Sequence, residues 1–492
     1  MFQRAIGGGI MEKFKNLTAI QVIEKIKNRE FSCKEICEYY ISQMKKFEHK
    51  NAILEIFDDA LENAQKIDDL ISSGAHLPKL AGLPIVIKDN ILYKGKTCSC
   101  ASKFMQNHKA QYNATVIQKL LDAGVVILAR ANMDEFAMGG SCENSAFGPC
   151  ANAFDDERVS GGSSGGSAVA VACDMCAVSL GSDTGGSIRQ PSAFNGLVGI
   201  KPTYARVSRF GLVAYASSFD QISPIAKTAE DSALILSVIA GHDKNDETSL
   251  EADVPNYLEE MSKINSLKGL RVGILKEAQE LMDKTEYKEK YNSISNWFAS
   301  QGATVQEFSV PNFNLALPVY YTLTPAEACS NLGRFDGVKY TTRSEKSSNI
   351  EEVYLHSRSE GFRKEVQRRI MLGNFVLSSG FYDAYYMKAM KIRKSLQKEF
   401  AEVFKDCDIL IMPTAFGEAF KIGEKTSSPT EMYVEDMFTT LANIIGNPAI
   451  SVPCGKGKKG LPLGLQIIAD NLGEQTLYNV SGYFMKHFKE AE

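Results

Sequence analysis

Two short stretches of this chain set hydroxyls among glycines: Gly161-Gly162-Ser163-Ser164-Gly165-Gly166 and Gly185-Gly186-Ser187. Glycine admits backbone conformations that other residues resist and lets main-chain N–H groups approach a ligand closely. A serine held among such amides suits acyl transfer, in which the hydroxyl attacks a carbonyl and backbone N–H groups hold the oxyanion. One such loop alone would read as a surface turn. Two of them, joined by the apolar run 168–180, read as one built site.

The next question is which base could activate the hydroxyl. The first loop matches G-x-S-x-G, the turn that carries the nucleophile of Ser-His-Asp hydrolases. That turn needs an apolar strand directly before it, and residues 154–160 (FDDERVS) are not one. The six histidines, His49, His76, His108, His242, His356 and His487, lie mostly in charged or polar segments. Ser187 does follow a strand-like run, and a neutral lysine can replace histidine as base. Lys88 ends the apolar run LPIVIK and is the candidate. An ordinary lysine titrates near 10.4, whereas a base for neutral pH needs a value of 7 to 8. That shift of about 3 units costs ~4 kcal/mol, which burial beside an apolar strand can supply.

Positioning these residues requires elements around them. Residues 12–75 read as helices, with Thr18 as one cap and Ser32 with Glu35 as a capping box. Short apolar runs at 83–90, 125–129, 175–180, 197–200, 270–275, 304–310, 409–413, 449–452 and 463–469 read as buried strands. Helical patterns at 114–123, from Ser164 or Ser167 to 172, at 228–240 and over most of 350–405 alternate with them. GKGKKG at 455–460 reads as an exposed turn between two strands. This alternation predicts an α/β fold, a large mixed central sheet covered by helices on both faces.

Bulk properties narrow the function. The 492 residues are 44% hydrophobic and 23% charged, ordinary values for a globular protein. A net charge of −4 gives no general reason to expect nucleic-acid binding by this chain alone. The 11 cysteines form no zinc-finger spacing; Cys173-x-x-Cys176 and Cys98-x-Cys100 read as buried, inert thiols in a reducing, cytoplasmic setting. No apolar stretch approaches the 18 residues or so of a spanning helix, and no secretory leader is visible.

The block GGSSGGSAVAVACDMCAVSLGSDTGGSIRQPSAFNGLVGIKPT, with LPIVIKDN upstream, resembles the amidase signature family from about residue 15 to 490. The resemblance implies a Ser–cis-Ser–Lys triad: Ser187 as nucleophile, Ser163 behind a cis peptide as proton relay, Lys88 as base. It implies an oxyanion hole of the backbone N–H groups of Thr184, Gly185, Gly186 and Ser187, with Asp183 and Arg189 bracing that loop. It also implies one continuous amidase domain over 15–490. Residues 1–14 match nothing in the family and read as a disordered extension, with Met11 as an alternative start to Met1.

Further phrases, among them MDEFAMGGSCENSAFG, SRSEGFRKEVQRRIMLGNFVLSSGFYDAYY and EDMFTTLANIIGNPAISVP, are similar to the glutamine-hydrolysing branch of that family, the amidase subunits of tRNA-dependent amidotransferases. For that branch the resemblance implies that Arg369 holds the α-carboxylate of L-glutamine, that Asp436 holds its α-amine, and that Tyr320 lies nearby. A planar guanidinium suits a carboxylate, and a carboxylate suits an ammonium. Arg368 is the alternative to Arg369, since adjacent helical residues cannot both face one pocket. The resemblance implies no cofactor or metal on this chain. It implies a heterotrimer whose B subunit binds misacylated Glu-tRNA(Gln), uses ATP and Mg²⁺ and receives the ammonia, and whose C subunit clasps both. Asp-tRNA(Asn) is a possible second acceptor in that branch, and a stand-alone hydrolase of small carboxamides is the alternative reading.

Overall fold

The computed structural model describes residues 12–283, 285 and 287–489. Eleven strands form one sheet: β1 (Ile53–Ile56), β2 (Pro84–Lys88), β3 (Val126–Ala131), β4 (Val178–Asp183), β5 (Val198–Lys201), β6 (Gln221–Ala226), β7 (Arg271–Leu275), β8 (Thr304–Phe308), β9 (Ile409–Pro413), β10 (Ala449–Lys456) and β11 (Pro462–Ala469). Their order is β1-β3-β2-β4-β6-β5-β10-β11-β9-β7-β8. Strands β3, β2 and β4 run parallel, as do β8, β7 and β9, while β6, β5, β10 and β11 are joined antiparallel. The expected mixed sheet with its helical cover is therefore present. Its strands read as unbroken apolar runs because most are buried on both faces.

Local signals held where their chemistry was complete. The hydroxyls of Thr18 and Ser32 accept the N–H groups of Gln21 and Glu35, whose side chains bond back to the caps. Thr228 caps Ala229–Ile239 through the Asp231 N–H. GKGKKG turns β10 into β11. All eleven cysteines are free and ten are buried; burial pushes the Cys173 thiol up to about 11. Among the described residues no helix is long and apolar enough to cross a membrane. Most of the extension expected over 1–14 lies outside the described residues. Phe14, inside it, is buried against Phe31 and Tyr39, so that end of the expected extension is packed structure.

Three elements depart from the sequence reading. β1 interrupts the expected helical stretch, between helices Cys33–Lys46 and Ala60–Ser72. Its four residues, ILEI, carry too little periodicity to separate strand from helix, and pairing with β3 decides it. β6 contains Pro224, which argues against a central strand. β5 pairs with β6 only at Ala226 and Ile225, so position 224 has no ladder partner on that side, while on the other it stands opposite Leu180 of β4. Finally, β4 starts later than the expected 175–180 and runs on through Gly181, Ser182 and Asp183. Asp174, at φ 57°, turns the chain after helix Gly165–Ala172 and is fixed there by Asn16 N–H, Tyr39 OH and Lys227.

The late end of β4 matters for chemistry, because it carries Ser182 to the same edge as Lys88 of β2. Ile467 lies inside this sheet, fully buried on β11 between Ile450 of β10 and Ile411 of β9. Ile467→Ala is expected to lower stability by about 2–5 kcal/mol, read as a drop in the denaturation midpoint. A midpoint unchanged from wild type would contradict this placement of the core.

Candidate active site

Lys88 is completely buried at the carboxyl end of β2. Its Nζ lies 2.7 Å from Ser163 Oγ, 2.8 Å from Ser164 Oγ, 2.9 Å from Ser182 Oγ and 3.2 Å from the Ser182 carbonyl. Among the described residues no carboxylate forms an ion pair with it. Burial therefore disfavours the ammonium and brings this amine down to about 7, although Asp134, Asp183 and Asp220 pull the other way from a distance. A neutral amine has one lone pair, and a hydroxyl can donate to it while the Ser182 carbonyl accepts an N–H. The arrangement can thus take a proton from Ser163 near neutral pH. Ser164 and Ser182 were not singled out from sequence. They hold the amine in place, and Asn90 in turn donates to Ser182 Oγ.

The two glycine loops meet here. The peptide before Ser163 is cis, as the family resemblance implied. The Gly162 N–H donates to Gln190 Oε1 at 3.0 Å, and the Ser164 N–H donates to the Ser187 carbonyl at 3.1 Å, tying the loops together. A methyl at Gly162 would collide with the Asp134 carboxylate, itself held by the N–H groups of Cys142 and Asn144. A methyl at Gly185 would meet the ring of Tyr320 at 2.5 Å. Ser187, nearly buried, stands just past β4 beside these glycines.

The amide cradle differs from expectation at one position. The Gly186 N–H donates to Asp183 Oδ1 at 2.9 Å, so it serves the scaffold and is not available to an oxyanion. The N–H groups of Thr184, Gly185 and Ser187 remain as the candidate cradle. Asp183 and Arg189 brace the loop as expected. Arg189 Nε and Nη2 each donate to Asp183 at 3.0 Å, and Arg189 reaches on to Thr439 O, Gln466 Oε1 and Asn443 Oδ1. Burial alone would push the Asp183 carboxyl up, but Arg189 and Asn443 hold it below the usual carboxylate range.

The expected glutamine-binding residues lie beside this centre, on elements far apart in sequence. Helices Ala316–Asn331 and Lys364–Leu377 pack together and carry Tyr320 and Arg369. Arg369 has a side chain only 4% exposed; Arg368, at 45%, faces outward. Arg369 Nε donates to Glu365 Oε1 at 2.8 Å and Nη1 donates to Tyr215 OH at 2.7 Å, and neither bond uses Nη2. The guanidinium sits 5.3–5.6 Å from the ring centres of Tyr215, Tyr321 and Tyr433. Asp436 Oδ2 accepts Tyr321 OH at 2.6 Å, and burial raises this carboxyl to about 7. A cavity of ≈ 660 Å³ opens on both arginines, Gly139, Ser141 and Tyr433, while the triad lies outside its lining. Tyr215, Tyr321, Tyr433 and Glu365 were missed from sequence, since aromatic and acidic residues on separate elements carry no local signal.

Buried lysine, cis-peptide serine and glycine-framed serine, set at one edge of a mixed sheet, define a serine amidase. The amidase family matches residues 35–478, and the chain belongs to the amidase signature family. The A subunit of the glutamyl-tRNA(Gln) amidotransferase of Caldanaerobacter subterraneus is 47% identical over 476 residues, covering 96% of this chain and 97% of the relative. That of Sulfurihydrogenibium sp. is 48% identical over 94% of this chain and 96% of its own length. Among solved structures, the A subunit of the glutamyl-tRNA(Gln) amidotransferase from Thermotoga maritima matches with a TM-score of 0.79 at 36% identity, covering 97% of this chain and 96% of that one. Native peptide amidase from Stenotrophomonas maltophilia matches at 0.81 and 25% identity, covering 96% and 97%.

The value of about 7 at Lys88 fixes a pH dependence. Below it the amine is charged and cannot accept a proton; above it the base form dominates. The kcat for amide hydrolysis should therefore climb through pH 7 and level off above pH 8 or so. A flat kcat profile from pH 5.5 to 8 would remove Lys88 from the role of base.

Proposed function

We propose that this chain is the glutaminase subunit of a tRNA-dependent amidotransferase, supplying ammonia to convert Glu-tRNA(Gln) to Gln-tRNA(Gln). The buried Lys88, with no carboxylate partner among the described residues and 2.7 Å from Ser163, carries the reading. Ser187 Oγ attacks the side-chain carbonyl carbon of glutamine while its proton passes through Ser163 to Lys88. The oxyanion forms against the N–H groups of Thr184, Gly185 and Ser187. The proton returns along the same path to the departing nitrogen, ammonia leaves, and a glutamyl ester remains on Ser187. Water, deprotonated by the same base, then cleaves the ester and frees glutamate.

Arg369 and Asp436 give this amidase its selectivity. Arg369 Nη2 meets the α-carboxylate, Asp436 meets the α-ammonium, and Tyr320 closes the pocket over Gly185. A substrate ammonium favours the ionised form of Asp436, whose own value near 7 leaves it balanced in the free enzyme. Ammonia passes to a B subunit that holds the misacylated tRNA and uses ATP and Mg²⁺, with a C subunit bound to both, in the cytoplasm. The chain itself needs no cofactor for the glutaminase step. An exposed aromatic cluster, Phe375, Phe381 and Tyr385, with ring centres 4.2–5.9 Å apart, supports a partner at this surface.

Ser187→Ala is expected to abolish glutamine hydrolysis while transamidation with added ammonia continues in the assembled enzyme. Glutamine hydrolysis by that variant would overturn the nucleophile. Arg369→Ala should raise KM for glutamine by about 10- to 100-fold with a smaller change in kcat. An unchanged KM would move the carboxylate contact to Arg368.

A further inference from the structure

Gln190 makes one hydrogen bond where its side chain can make four. It is 1% exposed on the short Arg189–Phe194 helix. Its Oε1 accepts the Gly162 N–H, which fixes the orientation of the amide, because a reversed amide would set N–H against N–H. The NH₂ group has no partner among the described residues, although a buried donor left unpaired costs about 1–3 kcal/mol. Such a group calls for an acceptor that arrives from outside.

Gly140 shows where that acceptor would sit. A Cβ built on Gly140 meets only two atoms within 4 Å: Asp436 Oδ1 at 3.5 Å and Gln190 Nε2 at 3.7 Å. Asp436 Oδ2 is engaged by Tyr321, and its Oδ1 accepts no hydrogen bond from the described residues. The glycine thus keeps open a slot bordered by one free acceptor and one free donor. It lies between Gly139 and Ser141, both on the wall of the large cavity.

We propose that Gln190 is a specificity-determining residue that donates its side-chain N–H to the α-carboxylate of the amino-acid substrate, alongside Arg369. The assignment rests on the glutamine reading, in which Asp436 holds the α-ammonium. In an α-amino acid the carboxylate is bonded to the same carbon as that ammonium, so a donor beside Asp436 Oδ1 faces a carboxylate oxygen. Gln190 then links two tasks: its carbonyl holds the cis-peptide loop of Ser163, and its NH₂ reads the head group. The α-carboxylate is a charged acceptor, the stronger kind of partner for a neutral amide.

The test compares two amides in the assembled enzyme, by ammonia release: L-glutamine and 4-aminobutanamide, which lacks only the α-carboxylate. Gln190→Glu keeps an oxygen for the Gly162 N–H and removes the donor. It should raise KM for glutamine by about tenfold or more with no rise in KM for 4-aminobutanamide, whose lone ammonium an added carboxylate attracts. A glutamine KM that does not move, or an equal rise for both amides, would overturn the assignment. Gly140→Ala leaves every hydrogen bond in place and fits at ordinary contact distance, so it tests the slot even if the Gln190 variant folds poorly. It should raise KM for glutamine by about tenfold, and an unchanged KM would overturn the slot. A wild-type enzyme with the same KM for both amides would instead overturn the glutamine reading itself.

Discussion

The site depends on keeping one amine dry and unpaired. A lysine in water is charged at neutral pH and useless as a base; one beside a carboxylate is charged more firmly still. Here the acidic groups nearest Lys88 are each engaged elsewhere. Asp183 is committed to Arg189 and Asn443, Asp134 to backbone N–H groups of the 142–144 loop, and Asp220 to Thr184 and the 215–216 backbone. What surrounds the amine is hydroxyls and a carbonyl, groups that can satisfy it without charging it.

The sheet supplies that environment. β2 and β4 are parallel neighbours, so both deliver polar residues at the same edge, where the ends of parallel strands commonly open to ligands. Lys88 closes β2, Ser182 and Asp183 close β4, and the two glycine loops fold over them. Glycine is required at these loops by contact as well as conformation: Asp134 stands against Gly162, Tyr320 against Gly185, and Thr439 against Gly186, whose φ of 134° itself favours glycine. The Arg189–Asp183 pair, fully buried, shapes the Ser187 loop, because Asp183 also accepts the Gly186 and Ile188 N–H groups on either side of Ser187.

In the glutamine reading proposed above, selectivity is layered onto this core by the later part of the chain. Arg369 enters through a helix, Asp436 through a loop, and three tyrosines wrap the guanidinium. The rings crowd water away from the guanidinium, which strengthens any charge interaction it makes. On the proposed assignment, Gln190 and Gly140 complete the head-group pocket from the catalytic side.

Much of this was legible in sequence because it is local. Capping at Thr18, Ser32 and Thr228 depends on residues three apart, and most strands announce themselves as short apolar runs; the two glycine loops and the lysine ending an apolar strand named the chemistry. Resemblance to a family added the pairing of Lys88, Ser163 and Ser187 and the choice of Arg369. What sequence could not decide was whatever depends on pairing across the fold. β1 and β6 became strands only because a neighbour accepted their ladders. Gly186 gave its amide to Asp183, three residues back, a local contact the sequence reading passed over. Ser164, Ser182, Gln190 and Tyr215 acquired their places from contacts between elements. Residue types fix which reactions are possible, but burial and distance fix which groups are free to perform them, and those are properties of the packed chain alone.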